Sequence, residues 1–188
     1  LDGKKDLENG FLNFIGEPNT RIKEDYLRIL RYIRFFLNYS KIKHNSEIIR
    51  KIKLNIYGII KLSKERLLDE LKKIAKVDIL EKLSKDDIAL NLILIVFPEL
   101  KNIKIFSKLT LDQKELLKKS DFIFLLSLMI IDEADNADYF LYKFKVSKKE
   151  KERIKIINDF FREKVNKKTF IESNLNKVLY YHGREAVL

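Results

Sequence analysis

The sequence predicts an all-α protein with one short extended segment near its N-terminus. Apolar residues recur at helical spacing in the stretch Ile22–Leu37, and the same spacing returns along most of the 188 residues. Only the segment Gly3–Ile15 alternates weakly between apolar and polar residues, and glycines interrupt and follow it. This segment is therefore expected to form a loop and a short strand.

Composition narrows the class of partner. The net charge of +11 comes from a surplus of lysine, which favours a polyanionic partner such as RNA, although the codon bias of an AT-rich genome explains the surplus equally well. The chain has no cysteine, which excludes a disulfide framework and a thiolate metal site and fits a cytoplasmic protein. No apolar run approaches the roughly 20 residues that span a bilayer, so no membrane contact is expected.

The first long helix is expected to begin at Arg21, with Thr20 as its cap, and to end near Asn38–Ser40. One face is apolar, and the other carries an acidic pair followed by arginines three residues apart: Glu24, Asp25, Arg28, Arg31 and Arg34. A carboxylate beside guanidinium groups offers acceptors and donors that suit the edge of a nucleotide base and its phosphates. Periodicity alone favours a solvated helix face with an ion pair between Glu24 and Arg28.

Further helices are expected along the rest of the chain, each with an apolar face or a capping residue at its start. In order, they cover Ser46–Ile60, residues 64–75 after the cap Ser63, Ser84–Phe97 before Pro98, Thr110–Lys118 with Asp121–Ile131 as an antiparallel pair, a long basic helix from Ser147, and a last helix ending near His182 and Gly183. Helical spacing favours the core, rather than stacking on RNA bases, for the aromatic residues Phe160, Phe161, Tyr180 and Tyr181.

Several kinds of site are excluded by their motifs. The acidic residues Asp132, Glu133, Asp135 and Asp138 lack the spacing and the glycine of a calcium-binding loop, so no metal site is expected there. His44 and His182 are the only histidines, and the chain has no G-x-S-x-G, no cysteine nucleophile and no glycine-rich phosphate loop. Hydrolase and P-loop classes are therefore excluded, and no catalytic residue is expected in this chain.

The stretch from Gly3 to Phe35 resembles the junction of palm and neck in class II nucleotidyltransferases, the family of bacterial CCA-adding tRNA nucleotidyltransferases and bacterial poly(A) polymerases. Its pattern runs G-x-x-D-L, G-x-P, R-x-x-E-D and R-x-L-R-x-x-R-F, supplied here by Gly3, Asp6, Leu7, Gly16, Pro18, Arg21, Glu24, Asp25, Arg28, Leu30, Arg31, Arg34 and Phe35. Gly3 and Asp6 match the hinge between the two domains. Asn13 and Glu17 depart from the family pattern.

The resemblance implies a role for each matched side chain. Asp25 and Arg28 match the pair that acts as a protein template for the incoming base, Glu24 matches the glutamate that orients the template arginine, and Arg31 and Arg34 match arginines that contact the nucleotide. Arg21 has a supporting place in the same motif. A second stretch resembles the neck pattern S-x-E-R-x-x-x-E-L-x-K-I through Ser63, Glu65, Arg66, Glu70, Leu71, Lys73 and Ile74. There, Arg66 and Glu70 are expected to form an ion pair that braces the nucleotide-binding helix, or a surface pair of little consequence.

The resemblance also implies a domain division and a function. Residues 1–18 match a palm remnant, 19–76 a neck that recognises the base, 77–145 a helical body and 146–188 a helical tail that binds tRNA. The complete protein is expected to be a tRNA nucleotidyltransferase that adds C and A to the tRNA 3′ end from CTP and ATP.

Catalysis in the family needs Mg²⁺ held by a head with a G-G-x-x-R-D loop and a D-x-D pair, and neither motif occurs here. The chain, which begins inside a motif, is therefore expected to be a truncated part that selects bases and binds RNA but is inactive alone, with the head in the same or a separate polypeptide. Two alternatives stay open: a poly(A) polymerase of the same family, and a non-enzymatic helical RNA-binding protein.

Overall fold

The structure is a computed structural model that describes residues 8–132 and 134–165, and within these residues it is all-α, as predicted. The described part contains no β-strand, so the short strand expected within Gly3–Ile15 is not formed over residues 8–15. A strand needs a neighbour with which to exchange backbone hydrogen bonds, and no described residue forms such a ladder with this segment. Gly3, Asp6 and the last predicted helix fall outside the described residues.

The helix expected from Arg21 to Ser40 is two helices, α1 (Pro18–Glu24) and α2 (Leu27–Tyr39). The break lies at Asp25, whose backbone is extended and whose Oδ1 accepts a hydrogen bond from the Leu27 N–H at 3.2 Å. An aspartate side chain can compete in this way with helical hydrogen bonding. The predicted cap was also wrong: Glu17 caps α1 by accepting from the Thr20 N–H at 2.7 Å, and Thr20 lies inside the helix.

The next two helices complete the predicted neck. Helix α3 (Ser46–Asn55) is capped by Asn45 and continues as a 3₁₀ helix (Ile56–Lys61), so the expected helix Ser46–Ile60 changes its pitch near its end. Helix α4 (Lys64–Ile74) begins after Ser63, whose hydroxyl accepts from the Arg66 N–H at 3.3 Å. The cap predicted at Ser63 is therefore confirmed.

The expected helix Ser84–Phe97 is also divided. Ser84 belongs to α5 (Val77–Lys85), and α6 (Asp87–Val96) begins after Asp86, whose carboxylate accepts from the Ala89 N–H at 3.0 Å. Helix α6 ends before Pro98, as expected, because proline cannot continue the hydrogen-bonding pattern.

Four further helices and a 3₁₀ helix (Ile103–Lys108) follow: α7 (Leu111–Lys118), α8 (Phe122–Ile130), α9 (Asn136–Lys143) and α10 (Lys148–Val165). Thr110 and Asp121 cap α7 and α8. Helix α7 lies against α5, where Lys114 Nζ is 2.8 Å from a Glu81 oxygen, whereas α8 packs on α10. The predicted antiparallel pairing of these two helices is therefore replaced by separate partners.

One apolar core joins all these helices. Its fully buried members run from Ile22 in α1 to Ile154 in α10, across the predicted domain boundaries at 76/77 and 145/146. Phe160 and Phe161 are partly buried and meet edge to face at 6.5 Å. No described helix combines the length and the apolar character that a membrane crossing requires. Among the described residues, no group of acidic or histidine side chains is arranged to hold a metal ion, and Asp132 pairs with Lys101.

Candidate nucleotide-recognition site

A cleft of about 240 Å³ lies between residues 12–15 and the first half of α2. Its cationic lining comes from Arg21 at the end of α1 and from Arg28 and Arg31 on α2. Positions three and four apart lie on one face of a helix. The spacing of α2 therefore also brings Tyr32 and Phe35 to the cleft, so that three guanidinium groups share one opening with two aromatic rings.

Arg28 is held by one edge of its guanidinium group. Its Nη1 donates to Glu24 Oε2 at 2.7 Å and to the backbone oxygen of Arg21, also at 2.7 Å. The Arg21 guanidinium donates to the same Glu24 oxygen at 2.6 Å. The hydrogen bond from Arg28 lowers the pKa of Glu24, so that carboxylate stays ionised at neutral pH. The Nε and Nη2 donors of Arg28 make no hydrogen bond to the described residues and are free for a ligand.

Asp25 does not pair with Arg28 among the described residues, although the sequence makes them neighbours. Its carboxylate meets Arg66 of α4, whose Nη2 lies 3.0 Å from both oxygens. The break between α1 and α2 directs Asp25 toward α4, whereas Arg28 turns back along α1. A carboxylate acceptor and free guanidinium donors therefore lie three residues apart without neutralising each other.

Arg34 has a different environment from the other arginines of the row. Its Nε donates to Glu70 Oε1 at 2.6 Å, and its guanidinium lies over the Phe35 ring at 4.3 Å. The Glu70 side chain is completely buried and also meets Lys73 Nζ at 3.3 Å. The structure does not bring Arg34 to the lining of the cleft.

Arg66 and Glu70 thus brace α2 in a way that the sequence did not indicate. They are one turn apart on α4, but each pairs with residues 25–34, the recognition segment: Arg66 with Asp25 and Glu70 with Arg34. The pairing of Arg66 with Glu70 expected from their spacing is replaced by these two longer-range contacts. Two ion pairs therefore connect α4 to the recognition segment.

Arg31 is the least committed cation of the site. Its side chain is exposed, lines the cleft and makes no hydrogen bond or ion pair with the part of the chain that the structure describes. An arginine in this setting can meet a phosphate without first breaking another contact.

Sequence reasoning missed the aromatic members of the cleft. Tyr32 stacks on Phe14 with ring centroids 5.7 Å apart, and both line the opening with Asn13. Burial, together with the charge of Asp86, raises the pKa of Tyr32 to about 12, so its hydroxyl stays protonated. Spacing from Arg28 identifies Tyr32 and Phe35, but the approach of residues 12–15 depends on tertiary packing.

The arrangement suits a nucleotide better than an uncharged ligand. The three arginines lining the cleft attract phosphate oxygens, since guanidinium groups donate in a fork that matches them. The exposed part of Phe35 adds an aromatic surface beside these donors, whereas Tyr32 is buried and already stacks on Phe14. Asp25 and Arg28 add an acceptor and a donor at the same end of α2.

Comparison with known proteins identifies relatives that are named CCA tRNA nucleotidyltransferase or CCA-adding enzyme. The chain is 43% identical over 79 residues to the human mitochondrial CCA tRNA nucleotidyltransferase 1 and 42% identical over 75 residues to the protein of that name from Danio rerio. Each match covers 39% of the chain. The chain is also 27% identical over 189 residues to the CCA-adding enzyme of Staphylococcus saprophyticus, a match that covers the whole chain. No family profile matches the chain.

All these relatives are much longer than the matched region. The match to the human protein covers 18% of that protein, and the match to the Staphylococcus enzyme covers 44% of it. The chain therefore spans less than half the length of the curated relatives that it matches.

Proposed function

Since this chain is a relative of the CCA-adding tRNA nucleotidyltransferases, we propose that it supplies the base-selecting and tRNA-binding part of such an enzyme. The complete protein adds C and A to the 3′ end of tRNA from CTP and ATP. The observation that carries this proposal is that an acceptor at Asp25 and free donors at Arg28 lie three residues apart at the start of α2. Arg28 lines the cleft with two further arginines, whereas Asp25 does not belong to its lining.

The selection of C and A follows from the chemistry of the base edges. Cytosine and adenine both carry an exocyclic amino donor next to a ring nitrogen acceptor, whereas guanine and uracil carry a carbonyl oxygen next to a ring N–H. An ionised carboxylate only accepts, and a guanidinium group only donates. Asp25 can accept from the amino group while Arg28 donates to the ring nitrogen, and the reversed order in guanine and uracil opposes both side chains.

Arg31 and Arg21 are proposed to hold the triphosphate. Both line the cleft with Arg28, and Arg31 has no partner among the described residues that would compete with a phosphate. Tyr32 and Phe35 supply the aromatic wall of the same opening. Arg34 is expected to act on the nucleotide through the position of α2, because Glu70 already binds its guanidinium.

The tRNA is proposed to lie along the basic helices of the predicted body and tail. Helix α10 presents exposed lysines at its start, among them Lys148 and Lys149, which have no partner in the described part of the chain. With a net charge of +11, the chain as a whole attracts RNA phosphates. We expect these lysines to add affinity that does not depend on RNA sequence.

Nucleotidyl transfer requires metal ions that neutralise the transferring phosphate. The described residues do not fit Mg²⁺, because no set of carboxylates converges there. We propose that the Mg²⁺ and its ligands belong to a catalytic head outside this chain, that the chain alone does not incorporate nucleotides, and that the complete enzyme works in the cytoplasm.

Nucleotide titration of the chain by heteronuclear NMR tests the proposal. We expect amide signals of α2 to shift on addition of millimolar CTP or ATP, and to shift at least several-fold less at equal concentrations of UTP or GTP. The variant Arg50→Lys should show the same nucleotide preference as the unmodified chain, since Arg50 is an exposed arginine of α3 away from this cleft. Equal binding of all four nucleotides, or none at α2, contradicts the proposal.

A further inference from the structure

Asp25 accepts hydrogen bonds from two residues, which together restrict the rotation of its carboxylate. Arg66 Nη2 lies 3.0 Å from both oxygens, so it sits midway between them. The Leu27 N–H donates to Oδ1 at 3.2 Å. Rotation of the carboxylate would break at least one of these hydrogen bonds.

These contacts leave the two oxygens unequal. A carboxylate oxygen offers two lone-pair sites. Oδ1 uses one for Arg66 and one for Leu27, whereas Oδ2 uses one for Arg66 and keeps one free among the described residues. Only Oδ2 can therefore accept a further hydrogen bond without losing an existing one.

Arg66 is itself held in place by the start of α4. Its backbone N–H donates to the side-chain hydroxyl of Ser63, which caps α4, at 3.3 Å. One turn further along the helix, the buried Glu70 connects α4 to α2 through Arg34 at 2.6 Å. The Arg66 side chain is 46% exposed and that of Asp25 is 23% exposed, so a ligand can reach the pair.

We propose that Arg66 is a positioning residue for base selection: it orients Asp25 so that Oδ2 accepts from the amino group of cytosine or adenine. This inference rests on the proposed function, since it assigns Asp25 to the base edge. Arg66 does not touch the base. It keeps the acceptor in line with the donors of Arg28, and without it the carboxylate turns among several orientations.

A purely structural role for Arg66 makes a different prediction. A partly exposed ion pair contributes little to stability, so its loss would lower the melting temperature slightly and leave nucleotide preference unchanged. The ratio of affinities for CTP and UTP separates the two roles, because this ratio depends on the geometry of the base edge and not on the amount of folded protein.

The test compares Arg66→Lys with the unmodified chain. Lysine keeps the positive charge but is a single point donor without the planar geometry of a guanidinium group. We expect the preference for CTP over UTP, measured as the ratio of dissociation constants by NMR, to fall about tenfold. The amide signal of Leu27 should also shift in the absence of nucleotide, since its acceptor Asp25 is released.

The matched control is Arg153→Lys, which alters another arginine–aspartate pair, between Arg153 and Asp121, far along the chain from the cleft. It should leave the ratio unchanged. Arg66→Gln is a second variant, in case lysine still holds the Asp25 carboxylate in place. The preference for CTP over UTP should also fall about tenfold in this variant.

A folded Arg66→Lys and a folded Arg66→Gln that both keep the CTP preference overturn the inference. If the unmodified chain binds nucleotides without preference, the proposed function itself fails, and the role of Arg66 fails with it. A preference that is present in the unmodified chain and lost in both variants supports the inference.

Discussion

At the scale of single residues, one glutamate organises the basic side of the site. Glu24 Oε2 accepts from both Arg21 and Arg28, at 2.6 and 2.7 Å. Two guanidinium groups that would repel each other are thereby held at the edge of the same cleft. The sequence spacing predicts the contact between Glu24 and Arg28, because residues four apart on a helix are neighbours.

The position of Asp25 could not be read from spacing. A continuous helix would place Asp25 beside Arg28. Instead, the Asp25 side chain accepts from the Leu27 N–H where α1 ends, and Asp25 faces Arg66, 41 residues away in sequence. Such a partner comes from tertiary packing and has no local signal. The matched motif predicts Asp25 as a site residue without indicating what holds it.

Gly58 leaves room for the ring of Tyr26, the residue that follows Asp25. A methyl group at position 58 would overlap the ring of Tyr26. We expect Gly58→Ala to lower the free energy of unfolding by about 2 kcal/mol, as overpacking does, measured by chemical denaturation.

The control for this prediction removes the ring. In a Tyr26→Ala background, Gly58→Ala should cost nothing or stabilise slightly, because alanine suits a helical position better than glycine. An equal loss of stability in both backgrounds would show that the ring is not the obstacle.

At the scale of helices, the buried Glu70 connects α4 to α2. Its side chain is completely buried and pairs with Arg34, which is 18% exposed. Removing one charge of a buried pair leaves the other without compensation. We therefore expect Glu70→Gln to lower the free energy of unfolding by about 3 kcal/mol, measured by urea denaturation.

Glu115→Gln provides the comparison, since Glu115 is 70% exposed and, within the described residues, pairs only with Lys118 one turn away. Its stability should remain within about 0.5 kcal/mol of the unmodified protein. Similar losses in the two variants would contradict a special role for the buried pair.

Glu81 connects α5 to α7 and makes this contact sensitive to acid. Hydrogen bonds from Lys114, and then from Lys85, lower its pKa from 4.5 to about 2. The folded protein binds the proton less readily than the unfolded chain, so Glu81 stabilises the fold above pH 4.5 and loses this effect as the pH falls toward 2.

Melting curves of Glu81→Gln between pH 7 and pH 2 check this expectation. The variant should melt below the unmodified protein at pH 7, and the difference should shrink through this window and vanish near its lower end. A difference that is independent of pH would mean that the charge of Glu81 is not what joins the helices.

Helix boundaries illustrate how far the sequence determines local structure. The cap at Ser63 was predictable because a side-chain oxygen at the start of an amphipathic stretch satisfies free backbone N–H groups. The start of α6 was predicted at Ser84 and lies after Asp86, because the polar run 84–87 offers several side-chain oxygens that can cap a helix. Helix α9 was not predicted, because it has no strong capping signal: its N-cap residue Asp135 makes no side-chain capping hydrogen bond.

At the scale of the whole molecule, the net charge and the fold both agree with tRNA as the proposed partner. A single core joins the recognition segment to the basic helix α10, so the nucleotide cleft and the proposed RNA surface belong to one packed unit within the described residues. The all-α class was predictable from periodicity alone. The cleft was not, because residues 12–15 reach α2 only in the folded chain.

The salt dependence of tRNA binding tests the proposed RNA surface. We expect the logarithm of affinity to fall linearly with the logarithm of salt concentration, and the double variant Lys148→Gln with Lys149→Gln to reduce the slope by about 1.4, or about 0.7 for each lost phosphate contact. Lys101→Gln is the control, because Asp132 already offsets its charge at 3.0 Å. An unchanged slope in the double variant would place the RNA elsewhere.

The central claim is that Asp25 and Arg28 read the edge of the incoming base, and Asp25→Asn tests it most directly. Asparagine keeps the size of the side chain but carries both a donor and an acceptor, so it can turn to suit either class of base. Dissociation constants of this chain for CTP and UTP, measured by NMR titration, should differ at least tenfold in the unmodified protein and become nearly equal in Asp25→Asn. A variant that stays folded and keeps the full preference for CTP would contradict the account.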